Sequence, residues 1–270
     1  MPDPAPDIYL SVVAPAHNES ANVSALVDEV GAAAAAVCDA AGRPGAFEFV
    51  LVDDGSTDDT RARALELAAG GRPWLRVVAM TATPAGRGGG QSAAFHAGFR
   101  AARGELVAVL DADLQNDPAD LVAMDALRRE TGADMVQGDR SRNRRDNAIR
   151  KVGSIIGRLF RRLLLGDSIR DTGCSLRLMR REIALAIPLE FKGMHRFIPV
   201  TARHLGYRVE EMGVSHRPRV AGETKYGFGI TQRALPGLVD CFAVRWMRAR
   251  RRPTDSAEVM PEPGRVEAGE

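Results

Sequence analysis

The first half of the chain alternates between short apolar runs and segments whose apolar residues recur at helical spacing. Continuous apolar runs without polar alternation are typical of strands buried on both faces of a parallel sheet. We predict strands at 8–14, 47–52, 75–80, 106–110 and 134–140, and helices at 23–38, 60–69, 91–102 and 118–130. Because strands and helices alternate, an α/β fold with a mostly parallel sheet and right-handed crossovers is expected. Further along, we predict a turn and short strand at 171–177, a helix at 194–205 and a strand at 207–214.

Two later helices are predicted to be amphipathic and basic. Over 147–165, apolar residues form one stripe, and the arginines, Arg161 among them, fall on the opposite face with no acidic residue. A second apolar stripe, within 231–252, runs into 245–252, where five of eight residues are arginine. We expect both helices to lie in an anionic membrane interface; a charged helix that covers the core is the alternative for the first. The acidic, proline-rich segment 253–270 is predicted to be a disordered tail.

The strand predicted at 106–110 ends at two carboxylates, Asp111 and Asp113. Side chains two residues apart in extended chain point the same way, so both can reach one cation. Hard cations such as Mg²⁺ take a few carboxylate oxygens and keep other positions for water and substrate phosphates. In open α/β sheets, ligands bind outside the carboxyl ends of the strands, which is where this pair lies. The pair indicates a metal site, although two aspartates can also simply end a strand.

A glycine-rich loop at 83–92 leads into the helix predicted at 91–102. Such a loop can cradle phosphate on its backbone N–H groups, or it can be a flexible connection. Its spacing fits neither GxGxxG nor a Walker loop, which argues against a dinucleotide-dependent dehydrogenase and a P-loop enzyme.

Composition narrows the protein class. The 270-residue chain is 45% hydrophobic, which suffices for a core, and its net charge of +2 gives no reason to expect a nucleic-acid partner. Three widely spaced cysteines without a CxxC pair indicate a reducing compartment and neither a disulfide framework nor a zinc site. No signal sequence and no apolar stretch of roughly 20 residues is seen. We expect a cytoplasmic protein with peripheral contact to the inner (plasma) membrane.

An ordered set of motifs resembles family-2 glycosyltransferases of the GT-A fold, in the branch of polyprenyl (dolichol) phosphate mannosyl- and glucosyltransferases. The motifs are 13–19 (VAPAHNE), 52–58 (VDDGSTD), 90–94 (GQSAA), 111–115 (DADLQ), 171–177 (DTGCSLR), 193–197 (GMHRF) and 225–226 (KY). The sequence departs from the family at His17, usually tyrosine, and at Thr224, usually serine. The resemblance implies a Rossmann-like GT-A three-layer sandwich over 1–230, followed by the amphipathic helix at 231–252.

The resemblance also implies roles for individual residues. Those expected to bind the nucleotide sugar are Pro15, Asn18, Glu19, Asp53, Gln91, Asp111 and Ala112. Those expected to hold Mg²⁺ or Mn²⁺ are Asp111, Asp113 and Gln115. Those expected to be catalytic are Asp113, Asp171, Arg140, Arg219 and Lys225, with Arg217 also near phosphates. For each arginine, ordinary surface charge is an equal alternative. For Asp171 the equal alternative is that it caps a turn, and His195 and Arg196 either contact the acceptor or begin a helix.

The implied reaction moves a sugar from a GDP- or UDP-linked donor to polyprenyl phosphate, with inversion at the anomeric carbon. The acceptor phosphate is mostly ionised near neutral pH, so it requires nearby positive charge and no strong general base. The implied partner is a membrane surface. Because the C-terminal transmembrane helices of many relatives are not seen here, either the two amphipathic helices or a membrane-protein partner would hold the chain at the bilayer. Two alternatives stay open: a polysaccharide or glycolipid acceptor, and a non-catalytic nucleotide-sugar-binding membrane scaffold. A lipid-extractable product would separate the first from the main interpretation, and tight nucleotide binding without turnover would indicate the second.

Overall fold

The computed structural model describes residues 8–141, 148–218 and 230–252, with the backbone alone for 148–156 and 230–235. Its strands are β1 (Leu10–Ala16), β2 (Phe47–Asp53), β3 (Leu75–Ala79), β4 (Leu106–Val109), β5 (Met135–Asp139), β6 (Arg177–Arg180) and β7 (Val209–Gly213). Its helices are α1 (Val23–Ala40), α2 (Thr60–Ala69), α3 (Gln91–Ala101), α4 (Asp120–Thr131), α5 (Ala148–Leu165), α6 (Arg181–Ala186), α7 (Ile198–His204) and α8 (Ile230–Arg250). A short 3-10 helix, Met194–Phe197, precedes α7.

Within these residues the strands form one seven-stranded sheet in the order β3-β2-β1-β4-β6-β5-β7. Strands β1 to β4 pair in parallel, and so do β5 and β7. Strand β6 runs antiparallel between β4 and β5. The mostly parallel sheet confirms the predicted fold class, and the reversed β6 brings the turn before it to the edge where the parallel strands end.

The core divides into two layers, one on each face of the sheet. Neighbouring residues of a strand point to opposite faces; thus Val12 and Ala14 of β1 pack on one side and Val13 on the other. The first layer includes apolar residues of α1, α2 and α4, and the second those of α3, α6 and α7. Because both faces are covered, β1, β2 and β4 have no solvated side, which explains why they are mostly apolar. The polar residues inside β1 and β2, Ser11 and Glu48, are buried and hydrogen-bonded to each other.

The predicted elements match the structure along most of the described chain, with three differences after residue 165. The short strand predicted within 171–177 is found as β6, which begins only at Arg177. Helix α6 was not predicted, because its six residues are too few to display a helical period. The helix predicted at 194–205 is a 3-10 turn followed by α7, whose second residue is Pro199. Proline lacks the N–H group, so it is tolerated within the first turn of a helix and not in its interior.

Helices α5 and α8 pack against each other on the outside of the second layer. The ring centroids of Phe160 and Phe242 lie 5.8 Å apart, edge to face. Helix α8 docks on the core through Cys241 and Val244, which are buried. The predicted basic face of α5 is partly wrong, because Arg161 turns inward: it donates to the Thr172 hydroxyl, and its Nε lies 3.4 Å from Asp167 Oδ2.

The outer side of this helix pair is apolar. Five large side chains remain mostly exposed there: Leu159, Leu163, Val239, Phe242 and Trp246. They belong to the two stripes that the sequence predicted. Within the described residues, no helix combines the length and apolarity needed to span a bilayer. The predicted tail at 253–270 lies outside the described residues.

Candidate active site

The predicted acidic pair lies just beyond β4, at the edge where β1, β2 and β4 end. Asp113 is buried, and Asp111 is partly buried beside it. Between this pair and Gln115, Leu114 has φ +60°. Left-handed backbone is uncommon for a bulky residue and often marks a functional turn. Here it turns the chain so that the Gln115 N–H donates to Asp113 Oδ1 at 3.2 Å.

Both oxygens of Asp111 accept hydrogen bonds from side chains distant in sequence. Gln91 Nε2, at the start of α3, donates to Oδ1 at 2.7 Å. The Ser175 hydroxyl, in the turn before β6, bonds Oδ2 at 2.7 Å. Asn116 Nδ2 donates in turn to Ser175 Oγ at 2.8 Å. The carboxylate is therefore held from two directions, by α3 and by the turn before β6.

The donor set at this edge suits a hard divalent cation. Asp111 and Asp113 offer carboxylate oxygens, which Mg²⁺ binds one or two at a time while keeping positions for water and phosphate. The pKa of Asp111 is raised, first by burial and second by the negative charge of Asp113, and a cation would relieve this repulsion. Among the described residues, no cluster of three or more His, Cys, Asp or Glu side chains provides an all-protein metal cage.

Arg140 and Asp171 form a mostly buried ion pair next to the acidic residues. Arg140 Nε donates to Asp171 Oδ2 at 2.9 Å, and Nη2 donates to Oδ1 at 3.3 Å. Burial alone would lower the pKa of Arg140, but the hydrogen bonds and charge of Asp171 raise it overall. Asp171 Oδ1 also accepts the Gly173 N–H at 3.1 Å, so it caps its own turn and binds Arg140 at once. Both interpretations made for Asp171 are thus compatible with its contacts.

A second arginine, Arg177, lies fully inside the protein beneath this edge. Its Nε donates to Gln137 Oε1 at 2.7 Å, and its Nη2 donates to the Thr172 carbonyl oxygen at 3.1 Å. Burial lowers the pKa of Arg177 to about 10. Nearby negative charges, including that of Asp111, act in the opposite direction. The neighbouring Cys174 thiol has a pKa raised by burial to about 11, so it is not a thiolate near neutral pH.

The turn after β1 is joined to the turn after β2. Asn18, at φ +53°, accepts the Thr57 N–H on Oδ1 at 2.8 Å, and the Glu19 N–H donates to Thr60 Oγ1 at 2.8 Å. The Asp53 carboxylate is fully buried; it accepts the Ser56 N–H at 3.1 Å and binds Arg61 at 2.6 Å. One of its oxygens is therefore bound by this turn and the other by helix α2. Pro15 and Ala112 line the same strand ends, and their nucleotide contacts stay predictions.

Asp54 organises the glycine-rich loop. Its Oδ1 accepts the Gly89 N–H at 2.6 Å, and its Oδ2 accepts the Gly90 N–H at 2.9 Å. Gly90 has φ +90°, which glycine adopts without steric cost. The loop is thus fixed in place, and the two amides that could cradle a phosphate bind this carboxylate. Sequence reasoning did not single out Asp54, although its position next to a strand-ending aspartate was a usable signal.

His195 borders the site from the 3-10 helix. Its Nδ1 lies 2.8 Å from the Ser92 hydroxyl, which also accepts the His195 backbone N–H at 3.1 Å. Burial mainly, and then the charges of Arg196 and Arg177, lower the pKa of His195 to about 3. The imidazole is therefore neutral near pH 7. These bonds tie the 193–197 motif to helix α3.

The model of the family "Glycosyl transferase family 2" matches residues 11–187, which is more than half of the chain. The chain belongs to glycosyltransferase family 2. It is therefore a glycosyltransferase, as its motifs predicted.

Curated relatives of this family 2 member match almost its full length. A protein of Rhizobium johnstonii named dodecaprenyl-phosphate galacturonate synthase is 36% identical over 93% of this chain and 71% of its own length. A protein of Pseudomonas paraeruginosa named undecaprenyl-phosphate 4-deoxy-4-formamido-L-arabinose transferase is 38% identical over 91% of this chain and 68% of its own. The chain thus spans about 70% of the length of each of these two relatives.

Solved structures confirm the GT-A architecture of this family 2 chain. A mannosyltransferase from Pyrobaculum calidifontis, in complex with GDP-Man and Mn²⁺, superposes with TM-score 0.61 and 21% identity, covering 93% of this chain and 68% of the other. Glucosyl-3-phosphoglycerate synthase from Mycobacterium tuberculosis superposes with TM-score 0.63 and 21% identity, covering 87% and 80%. At this identity the likeness shows the fold alone.

Of the residues predicted to bind phosphate in this glycosyltransferase, Arg140 and Arg217 lie within the described part of the chain. Arg217 lies near the site through its backbone N–H, which donates to the Gln115 carbonyl oxygen at 2.8 Å. Its guanidinium binds Glu29 at 2.7 Å and Asp117 at 2.6 Å. Arg219 and Lys225 lie outside the described residues, so their assigned roles stay predictions.

Proposed function

We propose that this glycosyltransferase transfers a sugar from a nucleotide-diphosphate donor to polyprenyl phosphate. The observation that carries the proposal is the pair of relatives named for transfer to dodecaprenyl or undecaprenyl phosphate, each matching at least 91% of this chain at 36–38% identity. The described site has the chemistry that such a reaction requires: carboxylates for a cation, beside an arginine that can meet a second phosphate.

In this proposal, Asp111 and Asp113 hold Mg²⁺ or Mn²⁺, with Gln115 as a further ligand. Fold neighbours with either ion support this choice: one is described with Mn²⁺ and GDP-Man, another with Mg²⁺ and UDP. A divalent cation supplies charge neutralisation on the departing nucleoside diphosphate. The chain's own contribution is to fix both carboxylates, one through Gln91 and Ser175 and the other through the Gln115 N–H.

Arg140 is the described residue best placed to bind the acceptor phosphate. Among the described residues only Asp171 pairs with it, through the Nε–Nη2 edge. The opposite edge, at Nη1, can therefore meet an anionic oxygen. Since a phosphate monoester is already charged near neutral pH, attack on the sugar requires this positive partner and no strong base. Asp171 keeps the guanidinium in place and, in this proposal, also orients the sugar.

The outer face of α5 and α8 supports peripheral attachment to the membrane that holds the lipid acceptor. The two helices that carry the five exposed apolar side chains also carry exposed arginines, including Arg158, Arg162 and Arg245. Exposed apolar side chains in such number often mark an interaction surface. Anionic headgroups contribute about 1 kcal/mol per basic residue near the membrane surface. We place this face on the cytoplasmic leaflet of the plasma membrane.

The test is a lipid-product assay. Purified protein is incubated with detergent-dispersed undecaprenyl phosphate, Mg²⁺ or Mn²⁺ and a panel of GDP- and UDP-sugars, and the organic phase is analysed by mass spectrometry. A new lipid-phosphate sugar that disappears with a chelator is the expected result and identifies the donor. Turnover of a donor with a soluble glycan acceptor but never with the lipid would refute the proposed acceptor. Tight nucleotide binding with no turnover on either would refute catalysis.

A further inference from the structure

Ser175 is a buried serine whose hydroxyl hydrogen has one available direction. Its side chain is 2% exposed, and Oγ lies 2.7 Å from Asp111 Oδ2 and 2.8 Å from Asn116 Nδ2. The amide nitrogen of Asn116 can only donate, so it occupies a lone pair of the serine oxygen. The single hydroxyl proton then points to Asp111.

The orientation of Asn116 is itself determined by its surroundings. Its side chain is 2% exposed, and its Oδ1 faces the Cys174 thiol, with Sγ at 3.9 Å. The thiol stays protonated near neutral pH because burial raises its pKa to about 11. Asn116 therefore presents its NH₂ group, and not its oxygen, to Ser175. The order of donors runs from Asn116 through Ser175 to Asp111.

This chain of donors complements the contact from α3. Gln91 holds Oδ1 of Asp111 at 2.7 Å, while Ser175 holds Oδ2 at the same distance. With a donor on each oxygen, rotation of the carboxylate about its own axis is blocked. Partners behind a metal-binding group typically change metal affinity 10- to 100-fold when removed, because they orient that group.

We propose that Ser175, oriented by Asn116, is a positioning residue that holds Asp111 in the conformation required to bind the divalent cation and the donor diphosphate. The inference rests on the proposed function, and in particular on a cation at Asp111 and Asp113. It adds a role for two residues that the motif comparison left unassigned. The serine acts through Asp111 and contacts no reacting atom itself.

The test measures binding of Mn²⁺, so it does not depend on turnover. Free Mn²⁺ is followed by electron paramagnetic resonance during titration of the full chain, with UDP and with GDP in separate experiments. For Ser175→Ala we expect the dissociation constant of Mn²⁺ to rise about tenfold. Ser175→Thr restores the hydroxyl and should recover part of the affinity. Asn116→Ala frees the serine proton to rotate and should weaken Mn²⁺ binding in the same direction.

Ser11→Ala is the matched control. Ser11 is also a fully buried serine with a carboxylate partner, Glu48 at 2.7 Å, but it lies near the opposite end of β1. This variant should lower thermal stability and leave the Mn²⁺ dissociation constant unchanged. A merely structural role for Ser175 predicts the same pattern for Ser175→Ala, namely lower stability with unchanged metal affinity.

The outcomes separate the two proposals. If the wild-type chain binds Mn²⁺ with a nucleotide, and Ser175→Ala and Asn116→Ala bind it equally well, the positioning role is overturned and the proposed function stands. If Ser175→Ala does not fold, Asn116→Ala alone decides in the same way. If the wild-type chain binds no Mn²⁺ with either nucleotide, the metal assignment fails, and the positioning role fails with it.

Discussion

Gly98 sets how closely helix α3 approaches the sheet, which makes Gly98→Ala a sharp test of the packing. A Cβ atom at this position would lie 2.3 Å from Val13 Cγ1 and 3.0 Å from Val52 Cγ2. Both valines are fully buried. The added methyl group therefore requires α3 to move away from the sheet by about 1 Å, since packed carbon atoms prefer about 3.5–4.0 Å.

The expected change in the free energy of unfolding combines two opposing effects. Overpacking a core costs about 1–3 kcal/mol, and the contact at 2.3 Å favours the upper end. Alanine gains about 1 kcal/mol over glycine in a helix interior. We therefore expect the free energy of unfolding to fall by about 2 kcal/mol. For a chain of this size, that corresponds to a Tm lower by about 5 °C.

Gly157→Ala, in helix α5, provides the matched control. Within the described residues, no heavy atom outside the helix backbone lies within 4 Å of a Cβ built there. The same substitution should therefore raise the free energy of unfolding by about 1 kcal/mol. Thermal and urea unfolding of both variants measure the difference. Equal stabilisation by the two substitutions would refute the close packing of α3.

The shift of helix α3 should also change the geometry of the candidate active site. Gln91 is the first residue of α3, and its Nε2 contacts Asp111 at 2.7 Å. A shift of about 1 Å lengthens this hydrogen bond beyond its normal range. Misplacement on this scale can lower turnover about 100-fold. Gly98→Ala should therefore lose activity even at temperatures where it remains folded, whereas Gly157→Ala should not.

Three further changes test the metal site, the outer face and the buried histidine. Asp113→Asn should abolish turnover with an unchanged circular dichroism spectrum; near-normal activity would contradict the metal assignment. Leu163→Ser with Trp246→Ser should lower partitioning to anionic vesicles about 30-fold, from about 2 kcal/mol of lost apolar burial, whereas Leu65→Ser on the opposite layer should leave sedimentation unchanged. Burial lowers the pKa of His195 from about 6.5 to about 3 in the folded chain, so its protonation should reduce stability as the pH falls from 6.5 towards 3. His195→Gln should make that fall shallower by up to about 1.4 kcal/mol per pH unit; an unchanged slope in urea unfolding would show that His195 is not buried as described.

The sheet and the acidic pair were accessible from sequence because their signals are local. A strand covered on both faces is mostly apolar, and the apolar run that contains β4 ends just before Asp111. The direction of β6 was not accessible, because four residues show no period that distinguishes parallel from antiparallel pairing. Contacts between distant positions were equally hidden. Ser175 and Asp111 are 64 positions apart, and Gly89 and Asp54 are 35 apart.

Arg161 illustrates a different limit. Helical spacing correctly places it away from the apolar stripe, and because no acidic residue interrupts that face, we expected Arg161 to point outward with the other basic residues. Its partners, Asp167 and Thr172, come after the end of α5 at Leu165, where a helical projection no longer applies. A periodic pattern shows which residues share a helix face. It does not show which of these residues the loop after the helix will contact.

The inward turn of Arg161 has a practical consequence for anyone preparing the protein. Helix α5 would carry the lipid-facing surface, yet the same helix supplies the donor that holds Thr172, one residue after Asp171. Excising the outer helices to obtain a more soluble enzyme would therefore disturb the turn that carries Asp171. Solubility is better sought by replacing Leu159 and Leu163 singly with polar residues, with Arg161 retained. Detergent or lipid composition should likewise be treated as a variable of the activity assay, because the side chain of Arg161 links helix α5 directly to that turn.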